Sequence, residues 1–262
     1  MSGPRISALL LAACAAALLM APAAEARWHP KPTTAAWQWQ LQGKIDTSID
    51  AAVYEVDGFG VGAGTVTNLH RLGRKAICYL DVGSWENYRP DAGRFPKVLL
   101  GRPYEGYPDE RWLDIRRIDL LAPLLRRRFD ICRRKGFDAV EPDNVAGYEN
   151  ETGFPLGAGD QLRFNRWVAR EVHRRGMAVA LKNDPAQVKQ LVGNFDFAVV
   201  EECFAFEECG MFSPFVEAGK RVFVAEYSEP LAAICDQAEC LRFSVIRKDY
   251  DLFARPWEPC AA

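Results

Sequence analysis

Seven short apolar runs in this chain end in residues that can carry charge or move a proton. The runs are AAVYEVD (51–57), KAICYLDVG (75–83), DAVEPDN (138–144), AVALKND (178–184), FAVVEECF (197–204), RVFVAEYS (221–228) and FSVIRKD (243–249). They finish in Asp57, Asp81, Asp143 with Asn144, Lys182 with Asn183 and Asp184, Glu201 with Glu202, Glu226 with Tyr227, and Lys248 with Asp249. Strand side chains alternate faces, so Glu141 and Asp143 share one side of DAVEPDN. Two acids on one face of an apolar strand are costly unless something uses them. One Asp or Asn alone could simply cap the turn that follows. Acids at so many strand ends should converge on one rim and push one another's pKa values apart. Such a rim suits glycoside hydrolysis, in which one carboxyl protonates the leaving oxygen and another acts as nucleophile or base. Asp143 is the first candidate, with Glu141 a buried support one pleat deeper.

The elements that must position these residues alternate along the whole chain. With AWQWQL (36–41) the strand candidates number eight, separated by amphipathic runs such as VTNLHRLGR, LAPLLRRRFDICRRKG, DQLRFNRWVAREVHRRG, AQVKQLVGN and MFSPFVEAGK. Leu121, Leu124, Leu125, Phe129 and Cys132 fall on one stripe of the second, with its arginines opposite. Gly73, Gly136, Gly176 and Gly219 mark four helix ends. Eight strands with intervening helices predict an α/β fold, a (β/α)8 TIM barrel, whose working end lies at the strand C-termini. A doubly wound open sheet is the alternative, but no GxGxxG follows an early strand, and GFGVGAG (58–64) lacks the phosphate-loop spacing. The long connection 84–119 follows the third strand and carries Trp85, Tyr88, Tyr104, Tyr107 and Trp112; its length predicts a functional loop.

Composition narrows the partners. The chain has 262 residues, 49% hydrophobic, with a formal net charge of −2, so no basic excess points to nucleic acid. Arg5 and the apolar run that ends Ala24-Glu25-Ala26 predict a secretory signal over residues 1–26. A lipobox-like LAAC ending at Cys14 competes with it. Residues 27–34 then form a short linker, and 35–262 the barrel. No other stretch is long and apolar enough to span a bilayer. Export permits disulfides, and Cys203/Cys209 and Cys235/Cys240 are close enough in sequence for short-loop bridges. Cys78 and Cys132 read as small buried thiols. Three histidines do not suggest a zinc or two-metal hydrolase. The acidic rim favours a cationic polymer, such as one built of amino sugars with free amines. Aromatic rings at strand ends and loops, Trp39, Trp85 and Tyr227 among them, suit stacking on sugar faces.

The motifs ICYLDVGSWENYRPDAG, ERWLDIR, GFDAVEPDN, TGFPL followed by DQLRFNRWVA, LKND, FDFAVVEECF and AEY resemble glycoside hydrolase family 114, the endo-α-1,4-polygalactosaminidase family, over about residues 35–257. The resemblance implies a secreted, endo-acting hydrolase of α-1,4-linked galactosamine polymers that uses no metal or organic cofactor. It also implies that the acid of PDN and the first acid of EEC, Asp143 and Glu201, are the catalytic pair. Asn144 and Lys182 are placed to stabilise charge on Asp143, which makes it the nucleophile and Glu201 the acid/base, with retention of configuration expected. The strand-six register is the weakest point, since alternation lets only one of Glu201 and Glu202 face inward. Trp39, Asp57, Asp81, Trp85, Asn144, Lys182, Asp184, Glu226 and Tyr227 are the expected substrate contacts. Two other functions compete: a carbohydrate-binding barrel without catalysis, and a lyase forming a Schiff base on Lys182.

Overall fold

The computed structural model describes residues 27–260. The expected signal segment and the Cys14 alternative lie outside these residues. Numbered in chain order, β1 (Gln38–Gln40), β2 (Val53–Asp57) and β3 (Lys75–Asp81) begin the wall. An excursion follows as β4 (Ser84–Glu86), β5 (Leu100–Tyr104) and β6 (Tyr107–Leu113). The wall resumes with β7 (Ala139–Asp143), β8 (Ala178–Lys182), β9 (Phe197–Glu201), β10 (Val222–Glu226) and β11 (Ser244–Arg247), and β12 (Glu258–Pro259) trails it. The wall strands pair in the order β1-β2-β3-β7-β8-β9-β10-β11, all parallel, and β12 adds antiparallel to β11. All eight expected barrel strands therefore form.

Helices α1 (Ala63–Arg71), α2 (Ile118–Lys135), α3 (Ala158–His173), α4 (Val188–Leu191), α5 (Ser213–Glu217) and α6 (Leu231–Leu241) cover the outside. The expected stripe of α2 is buried as read, but Arg128 is buried with it. Its guanidinium reaches past the stripe to Asp91, at 2.9 Å from each oxygen, and to the Asp81 carbonyl at 2.7 Å. A buried cation needs such partners.

The 84–119 connection is not an irregular loop. Its three strands form a separate antiparallel sheet in the order β4-β6-β5, standing at the C-terminal rim of the barrel. Between β11 and β1 the seam is closed by the 248–257 segment. Leu41 N donates to the Leu252 carbonyl at 2.9 Å, and Trp257 Nε1 donates to the Trp37 carbonyl at 2.8 Å. Buried Lys248 donates to the Phe253 carbonyl at 2.5 Å and to Gln38 Oε1 at 3.3 Å.

Residues 27–34 are packed beneath the barrel. Trp28 lies against Phe197 with ring centroids 5.6 Å apart. The Pro30 carbonyl accepts from Arg221 N at 3.1 Å and the Thr33 carbonyl from Ser244 Oγ at 2.6 Å. These contacts fall at the N-terminal ends of β9, β10 and β11.

Inside the barrel the lower tier is apolar: Val53, Ile77, Ala139, Ala178, Phe197 and Phe223 pack together with Trp37. The next inward positions along β2 and β7 are Glu55 and Glu141, and on β8 Lys182 follows Ala178 and Ala180. The interior thus changes from hydrocarbon to ionisable groups on climbing toward the strand C-termini.

Among the described residues three disulfides form, and two differ from expectation. Cys203–Cys209 is the short-loop bridge foreseen. Cys78 and Cys132 are not free thiols. They face each other from the outer side of β3 and the inner stripe of α2, Cα atoms 6.0 Å apart, and are bonded. Cys235 pairs with Cys260 instead of Cys240. Cys235 and Cys240 both lie on α6, where a five-residue spacing turns the side chains to different faces. Cys240 is left exposed.

Candidate active site

A cleft of about 570 Å³ opens at the C-terminal end of the barrel. Three wall strands in succession stop just after the residues that face it. Asn144 follows β7 at φ +60°, Asn183 and Asp184 follow β8 at +47° and +58°, and Glu202 follows β9 at +55°. A non-glycine residue in this left-handed region is uncommon and costs of order 1 kcal/mol. At each point it turns the chain away from the barrel axis. The tips of β3 and β7 also approach so closely that a Cβ on Gly83 would lie 1.7 Å from the Asn144 carbonyl oxygen.

Lys182 stands at the centre. Its Nζ lies 2.9 Å from Asp143 Oδ1, 2.9 Å from Glu201 Oε2 and 3.2 Å from Glu141 Oε1. The indole of Trp39 supports it from below, with Nζ 4.8 Å from the ring centroid. Burial opposes the ammonium, but Asp143, Glu141 and Glu201 raise its pKa well above the ordinary lysine value. A lysine held charged in this way does not offer the free amine that a Schiff base requires.

Asp143 accepts from Lys182, from its neighbour Asn144 N at 2.9 Å, and from the Tyr79 hydroxyl at 2.9 Å. Burial works against its charge, yet Lys182 and these donors prevail, and its pKa lies below the ordinary carboxylate value. Glu201 Oε1 accepts from the Tyr227 hydroxyl, and the Glu201 backbone N–H donates to Asn183 Oδ1 at 2.9 Å. Of the two acids in EEC, Glu201 lines the cleft. Glu202 turns outward and accepts from Tyr250 OH at 2.8 Å.

Of the residues expected from sequence, Trp39, Asp57, Asp143, Asn144, Lys182 and Glu201 line the cleft, and Tyr227 touches Glu201. Asp57 is already paired with Arg89 at 2.6 Å. Four others do not reach the cleft. Asp81 is folded back onto the amides of Gly83 and Ser84 at 3.0 and 2.7 Å, and it accepts from Asn144 Nδ2 at 2.6 Å. Trp85 donates its indole N–H to the Ala92 carbonyl at 3.0 Å. Asp184 is fully buried and accepts from Asn165 Nδ2 at 3.0 Å. Glu226, also fully buried, accepts from Phe204 N at 2.9 Å. These acids hold the strand-end turns in place and do not line the cleft. Burial pushes Asp184 up to about 8 and Glu226 up to about 7.

Other cleft residues were not foreseen as site residues. Tyr79 sits two places before Asp81 on the inward face of β3, a position that alternation could have revealed. From the β5–β6 hairpin come Tyr104, Tyr107, Asp109 and Glu110, and from beyond β11 come Tyr250 and Asp251. Tyr104 and Tyr107 meet edge to face at 5.4 Å, and Tyr227 stacks on Tyr250 at 4.3 Å. Among the described residues the one cluster with metal-ligand spacing is Cys203, Cys209 and Glu226, whose two sulfurs are bonded to each other.

The profile of the glycoside-hydrolase family GH114 matches residues 18–261. The chain belongs to family GH114. Among solved structures it is similar to Aspergillus fumigatus Ega3 in complex with galactosamine, at 35% identity and TM-score 0.85, covering 90% of this chain and 98% of that one. The glycoside hydrolase domain of PelA from Pseudomonas aeruginosa shares the fold at 12% identity and TM-score 0.66, over 86% of this chain and 98% of that one. No curated protein sequence matches the chain. A GH114 protein is a glycoside hydrolase, and the fold is the TIM barrel of these relatives. Among the described residues no helix is long and apolar enough to cross a membrane.

Proposed function

We propose that this GH114 chain is an exported, endo-acting hydrolase of α-1,4-linked galactosamine polymers. In this reading Asp143 is the nucleophile and Glu201 the acid/base of a retaining mechanism. One observation carries it: a single ammonium, Lys182, contacts both carboxylates at 2.9 Å. Their nearest oxygens therefore stand no further apart than twice that distance. Retaining enzymes place the two groups ~5–5.5 Å apart, whereas inverting ones need ~6.5–9.5 Å to admit a water.

The charges follow from the same geometry. Asp143, held ionised, attacks the anomeric carbon while Glu201 gives its proton to the departing glycosidic oxygen. Negative charge thus leaves Asp143, now an ester, and appears on Glu201. Lys182 touches both, so it stabilises the charge before and after transfer without moving, as a preorganised site should. Tyr227 keeps Glu201 aimed. In the second half-reaction Glu201 takes a proton from the water that opens the ester.

Two features support the substrate. Asp109, Glu110 and Asp251 add carboxylates to the cleft wall, which suits free amines. Ega3, at 35% identity, binds galactosamine. Tyr104, Tyr107 and Tyr250 add aromatic surface to the open cleft, which suits stacking on sugar rings. The three disulfides fit an oxidising compartment.

The deciding experiment measures reducing ends released from partially deacetylated α-1,4-galactosaminan by the wild type, Asp143→Asn, Glu201→Gln and Glu202→Gln. Activity lost in the first two variants and retained in the third supports the reading. Loss in Glu202→Gln with retention in Glu201→Gln would reassign the acid. An inactive wild type would sink the hydrolase proposal for this polymer.

A further inference from the structure

Below the catalytic tier the barrel holds two more carboxyl groups, and the mechanism above gives them no task. Glu55 in β2 and Glu141 in β7 are both fully buried. Alternation sets Glu55 one pleat beneath Asp57 and Glu141 one pleat beneath Asp143. Among the described residues, no group donates an aligned hydrogen bond to any of their four oxygens. The two carboxyl groups adjoin in this buried tier and perturb each other's protonation, and Glu141 Oε1 is 3.2 Å from Lys182 Nζ.

That arrangement restricts the protonation state. Two ionised carboxylates buried in contact would repel strongly. Two neutral acids would leave the third N–H of Lys182 facing no charge. A single proton between them avoids both costs, because one side chain donates and the other stays an acceptor for Lys182. The side nearer the ammonium keeps the charge, and that side is Glu141.

Resting on the catalytic assignment above, we propose that Glu55 and Glu141 are positioning residues that share one proton. Glu55 donates it to a Glu141 carboxylate, and that carboxylate anchors Lys182 at equal reach of Asp143 and Glu201.

Few other charged or titratable groups face the pair. Besides Lys182 from β8, Asp143 lies above on β7, Glu201 lies across Lys182 on β9, and Tyr79 of β3 is committed to Asp143. β1 contributes the Trp39 ring, while β10 and β11 turn Ala225 and Ile246 inward. Lys248, beyond β11, is committed to Gln38 Oε1 and two backbone carbonyls. Protonation preferences agree with the donor assignment. Burial, then Glu141, pushes Glu55 well above the usual range, whereas Glu141 rises with burial only to about 7, because Lys182 pulls it back.

The two members therefore respond differently to the same change. Glu55→Gln replaces a hydroxyl donor by an amide donor and leaves the anchor charge on Glu141. Glu141→Gln removes that charge, so the whole field of Lys182 falls on Asp143 and Glu201, and the acid loses its proton at lower pH. Profiles of kcat/KM against pH on soluble galactosamine oligomers test this. Glu55→Gln should keep the wild-type alkaline limb, while Glu141→Gln moves it down by about one unit, as loss of a nearby like charge does. An equal or larger shift in Glu55→Gln, or no shift in either, overturns the proposal.

A second readout needs no turnover. The infrared difference between wild type and Glu55→Gln at mildly alkaline pH should show the C=O stretch of one protonated carboxylic acid, lost in the variant. Its absence overturns the shared proton, and it decides alone if Glu141→Gln does not fold. A wild type that hydrolyses nothing would defeat the functional reading while this spectrum still reports on the pair.

Discussion

The Tyr79 hydroxyl donates to Asp143 Oδ2 at 2.9 Å, on the oxygen that Lys182 does not hold. Asp143 is thus fixed at both oxygens by groups from β3 and β8. A hydrogen bond to a charged group contributes about 1.5–3 kcal/mol. Tyr79→Phe should therefore lower kcat/KM by roughly 10- to 100-fold, on the basis of about 1.4 kcal/mol per decade. Losing a donor to the ionised form also raises the Asp143 pKa. The acid limb of the pH profile should move to higher pH, and an unmoved limb would mean that Asp143 is not the group the limb reports.

Tyr250 is stacked on Tyr227 and is largely exposed on the cleft wall. It lies beside the reacting groups without touching either carboxylate, so its ring should contribute binding more than chemistry. Tyr250→Ala should raise KM for a long galactosamine polymer roughly 3- to 10-fold with kcat changed less than about two-fold, the pattern of lost uniform binding. Steady-state kinetics on the polymer check this; a fall in kcat with KM unchanged would contradict it.

Asp184 affects stability through its protonation. Burial first, and Glu149 second, lift its pKa from 3.8 to about 8, so the folded chain keeps a proton that the unfolded chain has released. Where the native state binds more protons, stability falls as pH rises. The loss from this group therefore runs from just below pH 4 up to about pH 8. Asp184→Asn removes the titration, and Asn tolerates the φ of +58° at this position. The variant should show a flatter Tm between mildly acidic and mildly alkaline pH than the wild type. Parallel Tm profiles would show that Asp184 ionises freely in the fold.

The disulfides should differ in what they contribute. Cys78–Cys132 closes a loop across 54 residues and Cys203–Cys209 one across 6. In the chain-entropy view these correspond to about 4 and about 2 kcal/mol. Replacing Cys78 and Cys132 together should lower the denaturant midpoint more than replacing Cys203 and Cys209. Cys240→Ser should leave the midpoint where it is, and Cys235→Ser should lower it.

The barrel was legible because its strands are short apolar runs and its helix ends carry glycine, signals that survive without tertiary context. The ionisable tier was legible for the same reason: Asp143, Lys182 and Glu201 occupy inward positions of strands with clear alternation. Alternation fails one residue later. Once Asn183 and Asp184 take left-handed backbone angles, a tip acid no longer points where the pleat would send it. Asp81 and Glu226 were misread for a related reason, since each folds back to accept backbone N–H groups of a neighbouring turn. The rim sheet escaped notice because GRPYEGYPDERWL interrupts any period with proline, glycine and charge. Helix α6 escaped because LAAICDQAECL is apolar without a sharp stripe. Glu55 had a readable signal, two places before Asp57 in VYEVD, but its burial depends on Glu141 and Lys182 arriving from other strands.

The tucked segment under the barrel fixes an orientation for anything attached ahead of it. Trp28, Pro30 and Thr33 are seated at the floor formed by β9, β10 and β11, so the chain enters from the side opposite the cleft. A bead, tag or surface coupled before residue 27 would hold the protein by its underside. The mouth of the barrel would then face outward, free to thread a polymer too large to diffuse behind it.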